Sequence, residues 1–264
     1  MEFDNTYTNY WKDRVGSLSD GTKIADDEIL KNYLPFLDVH PSDVMLDIGC
    51  SFGRFYTILS EMAGNVSGLD IEPSAIVQCK DLGYKNLKVC AMESMDFADE
   101  TFDKALCWGT FDCVEQEQAL LDANRILKTG GRIAITGKNY FYEHDDKAAF
   151  IAERNAKLKA FPNHFTHIDK LITILPQLGF ELITLFCFIN RGDLGINKAV
   201  IYEDKLPAKF YEYLIVLKKI KVPVLTEFKI CDLYSQTASQ KAKEAGFDDV
   251  YSFFKWHKEN LKDD

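Results

Sequence analysis

The chain is short of the features that mark several large protein classes. Its 264 residues hold no stretch of about 18 apolar residues, so no membrane span is expected. The opening segment, Met1 to Tyr10, is acidic and polar and lacks the basic region and apolar run of a secretory signal. No two of the seven cysteines have C-x-x-C spacing, so no zinc site or other metal site is expected. Cys107 and Cys187 sit inside apolar runs, the usage of free thiols in a reducing cytoplasm. Positive charge is scarce: 31 Lys and Arg face 41 Asp and Glu, a net charge of -10. Phosphate backbones are repelled by such a surface, so nucleic acid is not an expected partner. The one short basic cluster, Lys218, Lys219 and Lys221, reads as a solvated helix face. There is no internal repeat and no low-complexity linker.

What is present is an alternation of short β-rich runs with helical patterns from about residue 44 to 137. Strands are expected at 44–48, 66–70, 87–90, 104–107 and 132–137, with helices at 54–63, 73–82 and 114–128 between them. Pro73 suits a first helical turn, and Gly130-Gly131 after Lys128 suits a helix stop. A helix over 168–178, in which Pro176 falls late enough to kink it, leads into a strand near 181–188. Such alternation predicts an α/β fold, a doubly wound, mostly parallel sheet with helical N-terminal and C-terminal additions. The expected divisions are a helical segment at 1–40, a core at 41–203 with an insertion at 138–166, and a helical extension at 204–264. In that extension Phe247, Tyr251 and Phe254 recur at helical spacing, for packing against the core or against a second copy in a homodimer.

The most informative segment is Val44-Met45-Leu46-Asp47-Ile48-Gly49-Cys50-Ser51-Phe52-Gly53. An apolar strand ends in an acid, a glycine turn and a helix, at the strand edge where open α/β sheets bind nucleotides. The G-x-G-x-x-G turn of dinucleotide proteins is not matched, because the spacing is Gly49-x3-Gly53 and Asp47 stands two residues ahead. A carboxylate there would repel a pyrophosphate and suit a cationic ligand.

This run resembles motif I of the class I S-adenosylmethionine (SAM)-dependent methyltransferases, usually written (D/E)xGxGxG. Asp47, Gly49 and Gly53 fall on its positions, and Ser51 stands where the middle glycine is commonest. Val66-Ser67-Gly68-Leu69-Asp70-Ile71 resembles motif II, and Cys90-Ala91-Met92-Glu93 resembles the adenine-edge motif, with Ala91 where the family often has Asp. The entry to strand four at 97–103 and the Arg125-Ile126-Leu127-Lys128-Thr129-Gly130-Gly131 signature follow in order. The resemblance, which covers roughly residues 40–190, implies a seven-stranded Rossmann-like sheet, a lid at 1–40, an acceptor-side insertion at 138–166, SAM as cofactor and S-adenosylhomocysteine as product. It implies a cofactor site of Asp47, Gly49, Cys50, Ser51 and Gly53 around the methionine end, Asp70 on the ribose, Ile71, Met92 and Glu93 around the adenine, and Trp108 and the lid residue Tyr10 beside them.

Methyl transfer is an in-line displacement whose main demand is alignment and exclusion of water. A hydroxyl acceptor gains from a general base. Asp112, His144 and His164 are the candidate catalytic groups, each with a structural alternative as helix cap or surface side chain. Asn139, Tyr140 and Tyr142 are expected near the acceptor. The leading reading is transfer to an O or N atom of a small polar metabolite, such as a sugar or surface-glycan precursor. The alternatives are an RNA or protein methyltransferase and a SAM-binding module without catalysis.

Overall fold

A computed structural model describes residues 28–261. After a short helix α1 (Leu34–Leu37) the chain alternates β1 (Val44–Ile48), α2 (Tyr56–Met62), β2 (Asn65–Asp70), α3 (Pro73–Cys79), β3 (Leu87–Val89) and β4 (Phe102–Cys107). Helix α4 (Gln116–Ile126), β5 (Leu127–Lys138), α5 (Lys147–Leu158), β6 (Phe165–Thr166), α6 (Ile168–Ile174) and β7 (Phe180–Phe188) follow. The C-terminal part adds β8 (Val200–Ile201), β9 (Glu212–Lys219), β10 (Cys231–Asp232), α7 (Gln236–Glu244) and α8 (Val250–Asn260).

The sheet order is β3-β2-β1-β4-β5-β9-β7-β8. Strands β3 to β5 are all parallel, whereas β9 runs antiparallel to both β5 and β7, and β8 pairs antiparallel with β7. The winding reverses between β1 and β4, which opens a crevice at the carboxyl ends of those strands. Both faces of the sheet are covered. One apolar cluster joins Ile48, Ile133 and Ile215 to α4 and α6, and another joins Met45, Leu106 and Val216 to α1 and α2. Helix α4 buries Ala119, Leu120, Ala123 and Ile126, a stripe at helical spacing.

The α/β, mostly parallel architecture is as expected, but the sheet has eight strands, not seven. The expectation of a helical extension over 204–264 is corrected in part by β9, inserted between β5 and β7. Its run Tyr213-Leu214-Ile215-Val216-Leu217 is buried throughout, because a strand covered on both faces loses its alternation. The basic cluster is corrected with it. Lys219 is buried at the end of β9 and donates to the Leu127 carbonyl at 2.7 Å, so it is not a solvated helix residue. Helix α6 ends at Ile174, so Pro176 lies beyond it and kinks nothing. The stripe in α8 packs within the chain: Phe254 and Phe253 meet Phe150 of α5, while Tyr251 is exposed.

Candidate active site

One cavity of about 920 Å³ opens at the carboxyl edge of the sheet around the β1–β4 reversal. That volume lies in the upper part of the range for small-molecule sites, about 300–1,000 Å³, which leaves room for a nucleoside cofactor and a small acceptor together.

Its first half is built from the glycine turn and the ends of β2 and β4. Gly49 has φ +71°, and a Cβ there would lie 2.1 Å from Thr110 Oγ1, so only glycine lets the turn close against that residue. Ser51 also sits in the left-handed region, at φ 52°, where its place in the motif usually carries glycine. Asp70 Oδ2 accepts the Ser51 N–H and Oδ1 accepts the Glu72 N–H, both at 2.9 Å. Each oxygen keeps a further lone pair for a hydroxyl donor. Burial raises the Asp70 carboxyl above its ordinary value, and the two N–H donors oppose the shift. Glu93 gives one carboxylate oxygen to the Glu115 N–H at 2.9 Å, while Oε2 is buried without a partner. An orphaned acceptor beside Met92 and Ile71 fits an adenine amino group, and it compensates for Ala91.

Of the expected cofactor residues, Gly49, Ser51, Asp70, Ile71, Met92, Glu93 and Trp108 line the cavity. Tyr10 lies outside the described residues. Asp47, Cys50 and Gly53 stand behind the wall, which corrects their expected contact with the ligand. The Asp47 carboxylate is buried and accepts the Tyr84 O–H at 2.8 Å, so it braces the turn from beneath. Cys50 is packed in the core beneath the turn. Gly53, at φ +79°, admits Leu82, whose Cδ1 would sit 2.0 Å from a Cβ there.

Desolvation pushes Asp47 up to about 7, with the Tyr84 hydrogen bond opposing it. Between the ordinary carboxyl value and 7 the folded chain therefore binds a proton that the unfolded chain has released. Stability contributed by this group falls as pH rises through that window, by up to about 1.4 kcal/mol per pH unit. Asp47→Asn should remove this slope. Urea titrations from pH 4.5 to 7.5 should show the variant gaining on the parent, and parallel curves for the two would refute the assignment.

The second half is polar and charged. Lys138, at the end of β5, donates from Nζ to Asp112 Oδ2 at 2.6 Å and to Asn163 Oδ1 at 3.0 Å. Burial alone would lower the Lys138 ammonium, but Asp112 outweighs it and holds the group above the ordinary lysine value. Lys157 of α5 donates to the Asn163 carbonyl, and desolvation brings it down to about 8. His164 lines the cavity, its backbone N–H donates to the Asp112 carbonyl at 2.6 Å, and desolvation lowers its imidazole. Glu212 enters from β9, with Tyr234 and Tyr251 from the C-terminal segment.

Asp112 and His164 thus share the cavity, as expected. His144 does not: it is exposed on the surface, 3.2 Å from Glu244 and 3.4 Å from Lys241 of α7, a correction to its place among the catalytic candidates. Asn139, Tyr140 and Tyr142 are also away from the cavity. Asn139 ties the Phe141 and Phe210 carbonyls, Tyr140 stacks on His167, and buried Tyr142 donates to Glu153 at 2.8 Å. Lys138, Lys157 and Glu212 escaped sequence reading, the first two because lysines carry no spacing signal.

The family described as a methyltransferase domain matches residues 46–135. Methyltransferase GfsG of Streptomyces halstedii is 24% identical over 196 residues, 70% of this chain and 69% of that protein. Phosphoethanolamine N-methyltransferase 3 of Arabidopsis thaliana is 29% identical over 159 residues, 54% of this chain and 32% of that enzyme. The chain spans less than half the length of its archaeal and plant relatives. The crystal structure of geranyl diphosphate C-methyltransferase from Streptomyces coelicolor A3(2), in complex with Mg2+, geranyl diphosphate and S-adenosyl-L-homocysteine, shares the fold. Its TM-score is 0.56 at 14% identity, over 82% of this chain and 86% of that one. The glycine turn, the acid that closes β2, the orphaned Glu93 acceptor and the family match agree: residues 46–135 carry a methyltransferase domain, and the site fits SAM as its cofactor.

Proposed function

We propose that this chain transfers the methyl group of SAM to an oxygen or nitrogen atom of a small polar molecule, of the size of a sugar or glycan precursor. The observation that carries this reading is the shape of the cavity. The nucleoside half runs without a wall into a chamber lined by Lys138, Lys157, His164 and Glu212. SAM supplies, when bound, a methyl carbon already activated by its sulfonium. What the chain then does is bind, align and keep water out. Asp70 holds the ribose hydroxyls and Glu93 Oε2 the adenine amino group. The Asp112–Lys138 pair fixes the floor of the acceptor chamber, and His164 stands in its wall.

The segments that shape this chamber are the insertion at 138–166 and the C-terminal part, through α5, His164, Tyr234 and Tyr251. Acceptor choice belongs to them in this reading, as binding specificity commonly resides in loops on a rigid scaffold. The net charge of -10 speaks against a nucleic-acid acceptor. The plant relative is named for a small-molecule substrate, phosphoethanolamine. Seven cysteines, none in a disulfide, support a cytoplasmic setting. Among the described residues no helix is long and apolar enough to cross a membrane.

Incubation with methyl-labelled SAM and a fractionated cell extract tests the reading. Label is expected in a polar metabolite fraction. Label confined to RNA or protein would overturn the acceptor class.

A further inference from the structure

We propose that Glu212 is the general base of the acceptor chamber and that the group it serves is a hydroxyl, which makes this an O-methyltransferase. The inference rests on the methyl-transfer reading above and narrows it to one acceptor atom.

Glu212 opens β9 as the register partner of Lys138 at the end of β5, so the two side chains emerge side by side on one face of the sheet. Lys138, Gly137 and Thr136 line the cavity with it, and the Thr136 hydroxyl accepts the Gly109 N–H at 2.7 Å, which ties β5 to the end of β4. The carboxylate therefore stands at the sheet edge where the two halves of the cavity join. Among the described residues no N–H or O–H donates to it. A carboxylate that lines a cavity beside a cation, yet has no donor of its own, is poised for a donor brought by a ligand.

Asp112, Lys138 and Lys157 are committed, and His164 is a weaker base. Asp112 is bound to Lys138 at 2.6 Å, and Lys138 is held protonated by it. Lys157 spends a donor on the Asn163 carbonyl. The His164 Nδ1 is sealed without a partner, and desolvation lowers the affinity of that ring for a proton. Glu212 differs in the opposite sense: burial raises it to about 7, in the field of Lys138, Asp112, Arg191 and Asp146. A base of that strength accepts a proton at neutral pH. An amine acceptor can shed its proton to solvent before binding, whereas a hydroxyl holds its proton until the transition state and gains from the base. In the step, the acceptor O–H gives its proton to the Glu212 carboxylate and the oxygen lone pair forms the new C–O bond. The C–S bond of the donor breaks, its electron pair stays on sulfur as a neutral thioether, and Glu212 later returns the proton to water.

The test uses the full chain with methyl-labelled SAM and a small-molecule extract separated into hydroxylic and amine fractions. The thermal shift given by S-adenosylhomocysteine is measured in parallel. Label is expected as an O-methyl product, with kcat rising with pH to a plateau above about 7. Glu212→Gln should keep the thermal shift, lose at least about 100-fold in kcat and lose the rise with pH. Label only on nitrogen or carbon, no label at all, or an unchanged Glu212→Gln overturns the proposal while an intact thermal shift leaves the cofactor reading standing. Absence of the thermal shift in the parent chain would sink both.

Discussion

Asp70→Asn should weaken binding of S-adenosylhomocysteine by about 100-fold or more, with a much smaller change in stability. The carboxylate performs two tasks at the end of β2. It orients the glycine turn by taking the Ser51 N–H on Oδ2, and it starts the approach to α3 by taking the Glu72 N–H on Oδ1. Both oxygens then have one lone pair left for a vicinal diol. Asparagine keeps the volume but has one acceptor oxygen, and its NH₂ must face either a backbone N–H or a hydroxyl that needs an acceptor. Hydrogen bonds to a charged group are worth about 1.5–3 kcal/mol each, and an unsatisfied buried donor costs about 1–3 kcal/mol. Loss of two ribose bonds thus corresponds to about 3–6 kcal/mol, whereas the apo chain loses one backbone contact. Removal of a buried charge offsets part of that second loss, since burial already disfavours the ionised form of Asp70. Isothermal titration of S-adenosylhomocysteine decides the matter, and a dissociation constant within threefold of the parent would remove Asp70 from the ribose site.

Much of this site was legible in local sequence, and the misses share a cause. The strand–turn–helix at 44–56 and the acid at the end of β2 are short-range features, and their roles follow from chain order alone. Asp47 was misread because its surroundings are set by a residue 37 positions away: Tyr84 takes the carboxylate that local logic aims at the ligand. His144 was misread for a similar reason, since its neighbours Lys241 and Glu244 come from α7, about 100 residues on. The largest miss is β9. Five buried apolar residues flanked by charges carry no period, so helix and strand cannot be told apart there. Its partner, β5, lies some 80 residues earlier, with Lys138 opposite Glu212. With β9 unseen, Glu212 had no place in the site. Local patterns thus pick out much of the lining of the cofactor half, because one βαβ unit builds most of it. The acceptor half draws on several distant segments, and only the fold brings them together.

Lys138→Met should destabilise the chain by about 3 kcal/mol, the low end of the cost of leaving one member of a buried ion pair alone, because this pair is only part-buried. The ammonium donates to Asp112 at 2.6 Å and to Asn163 at 3.0 Å, and both partners belong to segments that wall the acceptor chamber. Methionine fills the space of the lysine stem, so the loss is electrostatic more than steric. For a domain of this size the change corresponds to a fall in Tm of roughly 6–12 °C. Asp112→Asn in the Lys138→Met background removes the stranded charge and should recover a large part of the loss, so a double-mutant cycle should give a coupling well above 1 kcal/mol. A simple additive pair would mean that the two side chains do not form a buried bridge. The same variant also reports on the chemistry. Lys138 is the cation that does most to hold Glu212 down, against burial, which raises it. Without that cation the carboxylate binds its proton more tightly, and the rise of kcat with pH should move to higher pH in Lys138→Met. A profile that stays in place while stability falls would separate the two roles, leaving the ion pair to the fold and moving the base away from Glu212.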